Sequence, residues 1–520
     1  MVKPVFLGKL VLHWCPACNV PVLDKKCACG NPATFVNVTP PADIRPAFPY
    51  DIDRINDVSR QQFGKKLIAD GEIAVYNKAP YDDRMEEIIC GGEIIGTIRF
   101  EIDKIKWVLL PRLSGARRIF NKEGKEKDPD IEQNLKNWVM IHESAIPFVA
   151  EGSSVLVPGI LKTAPNIKRE DEVVVVTPDF EVVAAGRAKM SSEEIKTSER
   201  GKAIKIRWNQ KNETTRNEAA EIIPKDNEKA KEMPPREIWK KVIDANRHVI
   251  DKFEADSVLF MQNAAKNMNK KLTCSYSGGK DSLVTLHLTE TAFGKNSGNE
   301  KEYDIIFSDT GLEFKETLDN VKEIVEIYNK PLKEAGAGNT FWEEYEIYGP
   351  PSVDNRWCTQ SCKLQPITTV IETNYSKEDG CLTFIGQRQY ESKARAKSQR
   401  IWKSPSVSGQ IGTAPIQEWT AMHVWLYIFD KDLHYNPLYE KGFDRIGCWL
   451  CPAASLADFE NLKITHPESM EMWEEKLVQA GVEKEIENPE LWVKYGLWRY
   501  AELPPAMKKL ADEKGVRYKK

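Results

Sequence analysis

No apolar run in these 520 residues reaches the roughly 20-residue length that a membrane-crossing helix needs. The opening MVKPVFLGKLVLHWC has no small-residue cleavage site, so no signal peptide is expected. There is no internal repeat and no heptad array, which excludes solenoids and coiled coils. Charge of either sign is not in excess. The formal net charge is −4, so any affinity for nucleic acid must come from a local patch. These absences leave an ordinary cytoplasmic protein with no membrane partner as the expectation, and its length suggests about three or four domains.

What the chain does have is cysteine. Eleven of them in a cytosolic chain argue for metal or redox chemistry rather than disulfides. In CPACNVPVLDKKCACG, Cys15 and Cys18 form a CxxC turn and Cys27 and Cys29 a CxC turn. Four thiolates from two short turns can close a tetrahedral shell, which predicts structural Zn2+. So small a knuckle has almost no core, and the metal would supply its folding energy. A second group joins RWCTQSCK to IGCWLCPA, with Cys358 and Cys362 far in sequence from Cys448 and Cys451. Two pairs from separate loops can enclose one iron–sulfur cluster or one zinc, and spacing alone does not choose. Cys90, Cys274 and Cys381 read as buried and inert.

The stretch KLTCSYSGGKDSLVTLHL reads as a buried strand, a glycine turn and a helix whose apolar face carries Leu283, Val284, Leu286 and Leu288. The first turn of a helix leaves backbone N–H groups unpaired at its positive end, so an anion belongs there. Gly278 and Gly279 permit close approach, Lys280 adds a point charge, and Ser277 and Ser282 add hydroxyl donors. The spacing is not that of the GxxxxGK[ST] loop. A second strand, YDIIFSDTG, and a third apolar stretch, CLTFIGQR, alternate with helical runs. That alternation implies a parallel sheet with ligands beyond the carboxyl ends of its strands, where SGGKDS, SDTG and GQR all fall.

Upstream, SSVLVPGI, DEVVVVTPD and EVVAAGRAKM read as the short strands of a small barrel. The run Arg187 to Arg216 at its end holds nine Lys/Arg against four Glu, which charge alone reads as a solvated face. PKDNEKAKEMPPRE reads as a linker, followed by one long helical pattern, IWKKVIDANRHVIDKFEADSVLFMQNAAKNM. In the tail, Trp473, Trp492, Trp498 and Tyr500 are expected to pack rather than stack on bases.

The segment from Lys271 to about Ala453 resembles the phosphoadenylyl sulfate (PAPS) reductase family of the PP-loop ATP pyrophosphatase superfamily. The resemblance is carried by SYSGGKDS, SDTGLEFKET, WCTQSCKLQP, GQRQYESKAR, PIQEWTAMHVWLYI and LHYNPLYEKGFDRIGCWLC. The barrel resembles the PUA domain, an RNA-binding module of RNA-modifying enzymes, through Val157-Pro-Gly-Ile160, DEVVVVTPD and VVAAGRAKMSSEE. The first resemblance implies a Rossmann-like, adenine nucleotide alpha hydrolase-like α/β domain. It also implies that Ser277, Gly278, Gly279, Lys280, Asp281 and Ser282 hold the nucleotide's phosphates. Asp309 and Thr310 would line the pocket, while Arg388 and Arg395 would grip a second phosphate or a sulfonate. Cys358, Cys362, Cys448 and Cys451 look like the ligands of a [4Fe-4S] cluster.

Those resemblances imply reduction of PAPS or adenylyl sulfate to sulfite, with a thiol protein or ferredoxin as electron donor and Mg2+ as a candidate companion of the phosphates. The chain differs from the family's reductases in having no cysteine after Cys451, in keeping Lys280, and in the wider spacing of Cys358 and Cys362. The alternative is ATP-dependent sulfuration of tRNA or another RNA held by the PUA-like domain. The expected organisation is a zinc-ribbon-like knuckle over 1–40, an accessory α+β region over 41–143 and the PUA-like β-barrel over 144–222. A linker and long helix over 223–268, the PP-loop domain over 269–455 and a helical tail over 456–520 complete it.

Overall fold

The computed structural model describes residues 6–120, 131–213, 217–375 and 380–518. The nucleotide-type domain is a six-stranded sheet in the order Leu332–Gly336, Tyr303–Asp309, Lys271–Ser275, Cys381–Ile385, Gln410–Thr413, Ile401–Lys403. The first five run parallel and only Ile401–Lys403 is antiparallel. From Lys271–Ser275 the chain winds first to one side and then returns to place Cys381–Ile385 on the other. The reversal opens a crevice at the carboxyl end of Lys271–Ser275, where such sheets take ligands. Leu272, Cys274 and Ile305 are fully or almost fully buried, as strands covered on both faces must be.

Two further sheets precede it. A five-stranded antiparallel meander runs Ile44–Pro46, Val75–Lys78, Met85–Cys90, Glu93–Glu101, Lys106–Pro111. The second, six-stranded, contains Glu172–Val176, Val182–Ala188 and Lys202–Asn209. The expected barrel begins too late at 144, because Trp138–Ile141 pairs in parallel with Glu172–Val176 and belongs to this sheet. WVMI has no alternation to mark it as a strand, and its pairing partner lies beyond local reach.

The long helix expected before the glycine turn is two helices, Pro235–Ala245 and Arg247–Met268. Asn246 between them is wholly buried and spends its side chain on the N-terminal knuckle. Its amide donates to the Pro21 carbonyl at 2.9 Å and accepts from the Leu23 N–H at 2.8 Å. Knuckle and nucleotide domain consequently share one core, in which Trp14, Cys15 and Val22 join Leu272 and Trp425.

The tail helices Leu456–Thr465, Pro467–Glu483 and Pro505–Lys514 close over another core. Trp473, Trp492 and Trp498 pack there, with Cys362, Leu450 and, from the meander, Phe100 and Ile102. No helix among the described residues is long and apolar enough to cross a membrane.

Candidate nucleotide and thiol site

Residues 277–282 turn from the strand Lys271–Ser275 into the helix Lys280–Phe293. Gly278 adopts φ +72, and a Cβ there would lie 2.6 Å from the Thr317 methyl, so both conformation and space demand glycine. The Ser282 hydroxyl accepts from the Ser277 N–H at 3.2 Å and donates to the Gly279 carbonyl at 2.8 Å, which fixes the loop's curl. The Lys280 N–H donates to the Tyr439 hydroxyl at 2.9 Å. The loop of Gly386 packs directly on this turn, since a Cβ on Gly386 would sit 2.6 Å from the Asp281 carbonyl carbon.

Charge at the loop is buried and paired. Lys280 Nζ donates to Asp281 Oδ2 at 2.8 Å, and Arg388 Nε donates to Asp281 Oδ1 at 2.6 Å. Burial opposes the charge on Lys280, but Asp281 and then Tyr439 more than offset it and hold its pKa above the usual value. Burial likewise pushes Asp281 up, and Arg388 and Lys280 together bring it below the ordinary carboxylate range.

Arg388 does not stand open as an oxyanion clamp. Its Nη1 and Nη2 donate to the two oxygens of Asp43 at 2.6 and 3.0 Å, and Nη1 also reaches the Trp419 carbonyl at 3.4 Å. Arg395 is partly exposed and ion-paired with Glu391 on its own turn. The two arginines expected to act together are each already engaged by a carboxylate. Asp43, Tyr439 and Glu313 are the residues that sequence reasoning missed.

Asp309 ends its strand and its carboxylate accepts from the Gly311 N–H at 2.8 Å. The Thr310 N–H and hydroxyl both donate to Glu313, at 2.9 and 2.8 Å. Burial, reinforced by Asp309, raises the Glu313 carboxyl to about 7. The Thr310 hydroxyl also stands 3.2 Å from Cys448 Sγ, and the Trp449 N–H donates to the Leu312 carbonyl at 3.1 Å.

Cys358 precedes a wide π-helical turn, Gln360–Leu364, that carries Cys362, while Cys448 and Cys451 lie in the loop before Leu456–Thr465. That last helix is capped from the meander, since Asp83 accepts the Leu456 and Ala457 N–H groups at 2.7 and 3.0 Å. The accessory region, in which the sequence shows no chemistry, thus holds the cysteine loop in place. Burial pushes Cys358 up to about 11, with Cys362 and Cys451 adding to the shift. Burial and then Glu313 push Cys448 up to about 12. In the N-terminal knuckle, Sγ atoms are 3.7 Å apart for Cys15 and Cys29 and 4.0 Å for Cys18 and Cys27. All four lie within 4.8 Å of one another, a set that could hold a metal ion.

The barrel's basic run is mostly spent on internal pairs. Arg187 and Arg207 bind Glu172, Lys189 binds Glu170, Lys196 binds Glu193 and Lys211 binds Glu151. Arg200, Lys202 and Lys205 are exposed, and Arg216 lies outside the described residues.

A doubly wound parallel sheet with a glycine–lysine loop at its switch point, wired to a cysteine pocket and preceded by a mixed β-sheet module, defines the class. Comparison with known proteins matches residues 271–454 to the phosphoadenosine phosphosulfate reductase domain and residues 137–208 to the PUA domain. The uncharacterized protein MJ0066 of Methanocaldococcus jannaschii is 37% identical over 508 residues, covering 96% of this chain and 98% of that protein. An adenosine 5′-phosphosulfate reductase of Staphylococcus epidermidis is 31% identical over 183 residues, covering 34% of this chain and 68% of that protein. A crystal structure of a PAPS reductase from Candida auris in a phosphate complex aligns with 38% of this chain and 94% of its own, at 23% identity and a TM-score of 0.28. The chain belongs to the phosphoadenosine phosphosulfate reductase family, and it carries a PUA domain.

Proposed function

We propose that this protein is a sulfonucleotide reductase that converts adenylyl sulfate or phosphoadenylyl sulfate to sulfite. The observation that carries the reading is the 3.2 Å contact between Thr310 and Cys448, which gives the nucleotide crevice and the thiol pocket a common wall. Gly278, Gly279 and the amides of the following helix cradle the phosphate, with Ser277, Lys280, Asp281 and Ser282 shaping the loop. Asp309 and Thr310 line the crevice between phosphate and thiols. Lys280 is charged and buried, so it stabilises a phosphate oxygen without the screening of bulk water. A pair of electrons takes the sulfonate to sulfite while the bond from sulfur to the phosphate oxygen breaks and the nucleotide leaves. An external thiol protein or ferredoxin provides that pair.

Cys358, Cys362, Cys448 and Cys451 are the residues that would hold a [4Fe-4S] cluster. Four partly or wholly buried thiols from two loops suit it. Bound there, such a group would supply electron-transfer chemistry beside the sulfonate. The knuckle fits Zn2+, because a tetrahedron with about 2.3 Å Zn–S bonds has edges of roughly 3.8 Å. The test is sulfite release from adenylyl sulfate by anaerobically purified protein with a chemical reductant. Turnover that disappears in Cys448→Ser together with the brown colour supports the reading; no sulfite from protein with full iron and sulfide content overturns it.

A second reading, ATP-dependent RNA sulfuration, is favoured by one specific pairing: the PUA match at 137–208 in the same chain as a glycine turn that keeps its lysine, Lys280, held by Asp281. ATP-dependent release of AMP and pyrophosphate only in the presence of RNA would favour it over the reductase.

A further inference from the structure

The helix Pro49–Phe63, the meander strand Lys106–Pro111 and the barrel strand Ile160–Thr163 with the turn after it enclose a cleft of about 1150 Å3. That exceeds the roughly 300–1,000 Å3 of a small-molecule site, and charged and amide side chains make up most of its walls where such a site is mainly apolar. Five Lys/Arg line it against three Asp. Lys106, Lys136 and Lys168 come from three separate segments, all are exposed, and none pairs with a carboxylate among the described residues. Two of the carboxylates are already engaged: Asp57 pairs with Arg60 at 3.1 Å, and Asp171 accepts the Lys168 N–H at 2.8 Å. The walls therefore present positive charge without a partner.

Arg54 lies deeper. Its side chain is 10% exposed, and its Nη1, 3.8 Å from Asp51, has no hydrogen-bond acceptor. The guanidinium covers the Tyr50 and Trp107 rings at 5.0 and 4.9 Å, and Arg84 also lies over Trp107 at 5.7 Å. With those rings taken by cations, the cleft offers donors for anions rather than platforms for bases. Its inner wall abuts the framework of the nucleotide site. A Cβ on Gly442 would lie 2.4 Å from Arg54 Nη2 and 2.5 Å from the Tyr50 ring. Both residues thus pack on the turn between Tyr439, which caps the phosphate loop, and Cys448.

We infer that this cleft binds the sugar–phosphate backbone of a single-stranded RNA segment, with Lys106, Lys136 and Lys168 as its phosphate contacts. A cation-lined groove without open aromatic faces suits one flexible strand held by its backbone, with little regard to sequence. The inference rests on the RNA reading that the PUA match supports, and it puts the contact on a wall that barrel and meander share. A strand seated there lies against the turn that leads from the phosphate loop to the thiols.

The experiment measures binding of a fluorescent oligouridylate of about 12 nucleotides to the full chain, purified without oxygen, by anisotropy across a salt series. Lys106→Glu with Lys168→Glu is expected to weaken binding ~10-fold or more at about 0.1 M salt and to lower the log–log salt slope by about 1.4, the share of two single-strand phosphate contacts. Lys240→Glu with Lys322→Glu makes the same charge change at exposed helix positions outside the cleft and is expected to have little effect. A cleft variant that binds like the wild type, or a control that weakens binding equally, overturns the inference while RNA binding itself stands. A wild type that binds no oligouridylate removes the RNA reading and the inference together. Photocrosslinking of a 4-thiouridine oligonucleotide to the wild type needs no variant: adducts within residues 50–62 or 162–171 are expected, and adducts only elsewhere overturn the inference.

Discussion

The hydroxyl of Tyr439 accepts the backbone N–H of Lys280 at 2.9 Å, so the helix that begins the phosphate loop is capped by a residue 159 positions away. Tyr439→Phe keeps the ring's edge contact with Trp425 but leaves that buried N–H without a partner. The expected cost is about 1–3 kcal/mol in ligand-free protein. Saturating AMP should narrow the deficit, because a bound phosphate offers the helix start new acceptors. Denaturant unfolding with and without AMP checks this; an equal loss in both would mean the cap is purely structural.

Glu313 gives a pH signature. Its carboxyl is raised from 4.5 to about 7, chiefly by burial and then by Asp309, so the folded state keeps a proton that the unfolded chain releases. Its contribution to stability is full below pH 4.5 and is lost as pH rises through about 7. Glu313→Gln should flatten the stability profile across that window, by up to about 3 kcal/mol. Midpoints of urea unfolding at several pH values test it, and parallel profiles would assign the titration elsewhere.

Metal removal from the knuckle should reach the nucleotide domain. Cys15 shares a core with Leu272 and Trp425, and Asn246 bonds both Pro21 and Leu23. Cys18→Ser is expected to abolish about one zinc per chain, read by elemental analysis. It should also raise hydrogen exchange in both the knuckle and the helices around Asn246. Loss confined to residues 13–35 would show the knuckle to be an independent appendage.

On the barrel, Arg200 and Lys205 point to solvent while most neighbouring cations are paired. Charge reversal at both should weaken RNA retention by ~10-fold or more at about 0.1 M salt and reduce the salt slope by about two. Unchanged retention would remove this face from any RNA contact.

Local chemistry was readable from the chain. The glycine turn, the cysteine spacings and the alternation of strands and helices each declare themselves within a few residues. Asp43 could not be read that way: it follows Pro40-Pro41-Ala42 in an unremarkable loop, and its partner is 345 residues distant. Asn246 sits inside an unbroken helical pattern, and only its distant partners Pro21 and Leu23 show why the helix breaks there. Arg388 shows the opposite hazard, since its motif position suggests an open clamp and only the tertiary contact reveals that the clamp is filled.

Phe100 and Ile102 of the meander lie in one core with Cys362 and Leu450, while other meander residues, Ile88 and Ile95, share a core with the barrel's Val174 and Ile204. The meander is therefore a strut. Anything grasped at the barrel is held at a set distance from the thiols, so the arrangement works as a ruler rather than a tether, and lengthening it by even a few residues would put the grip and the chemistry out of register.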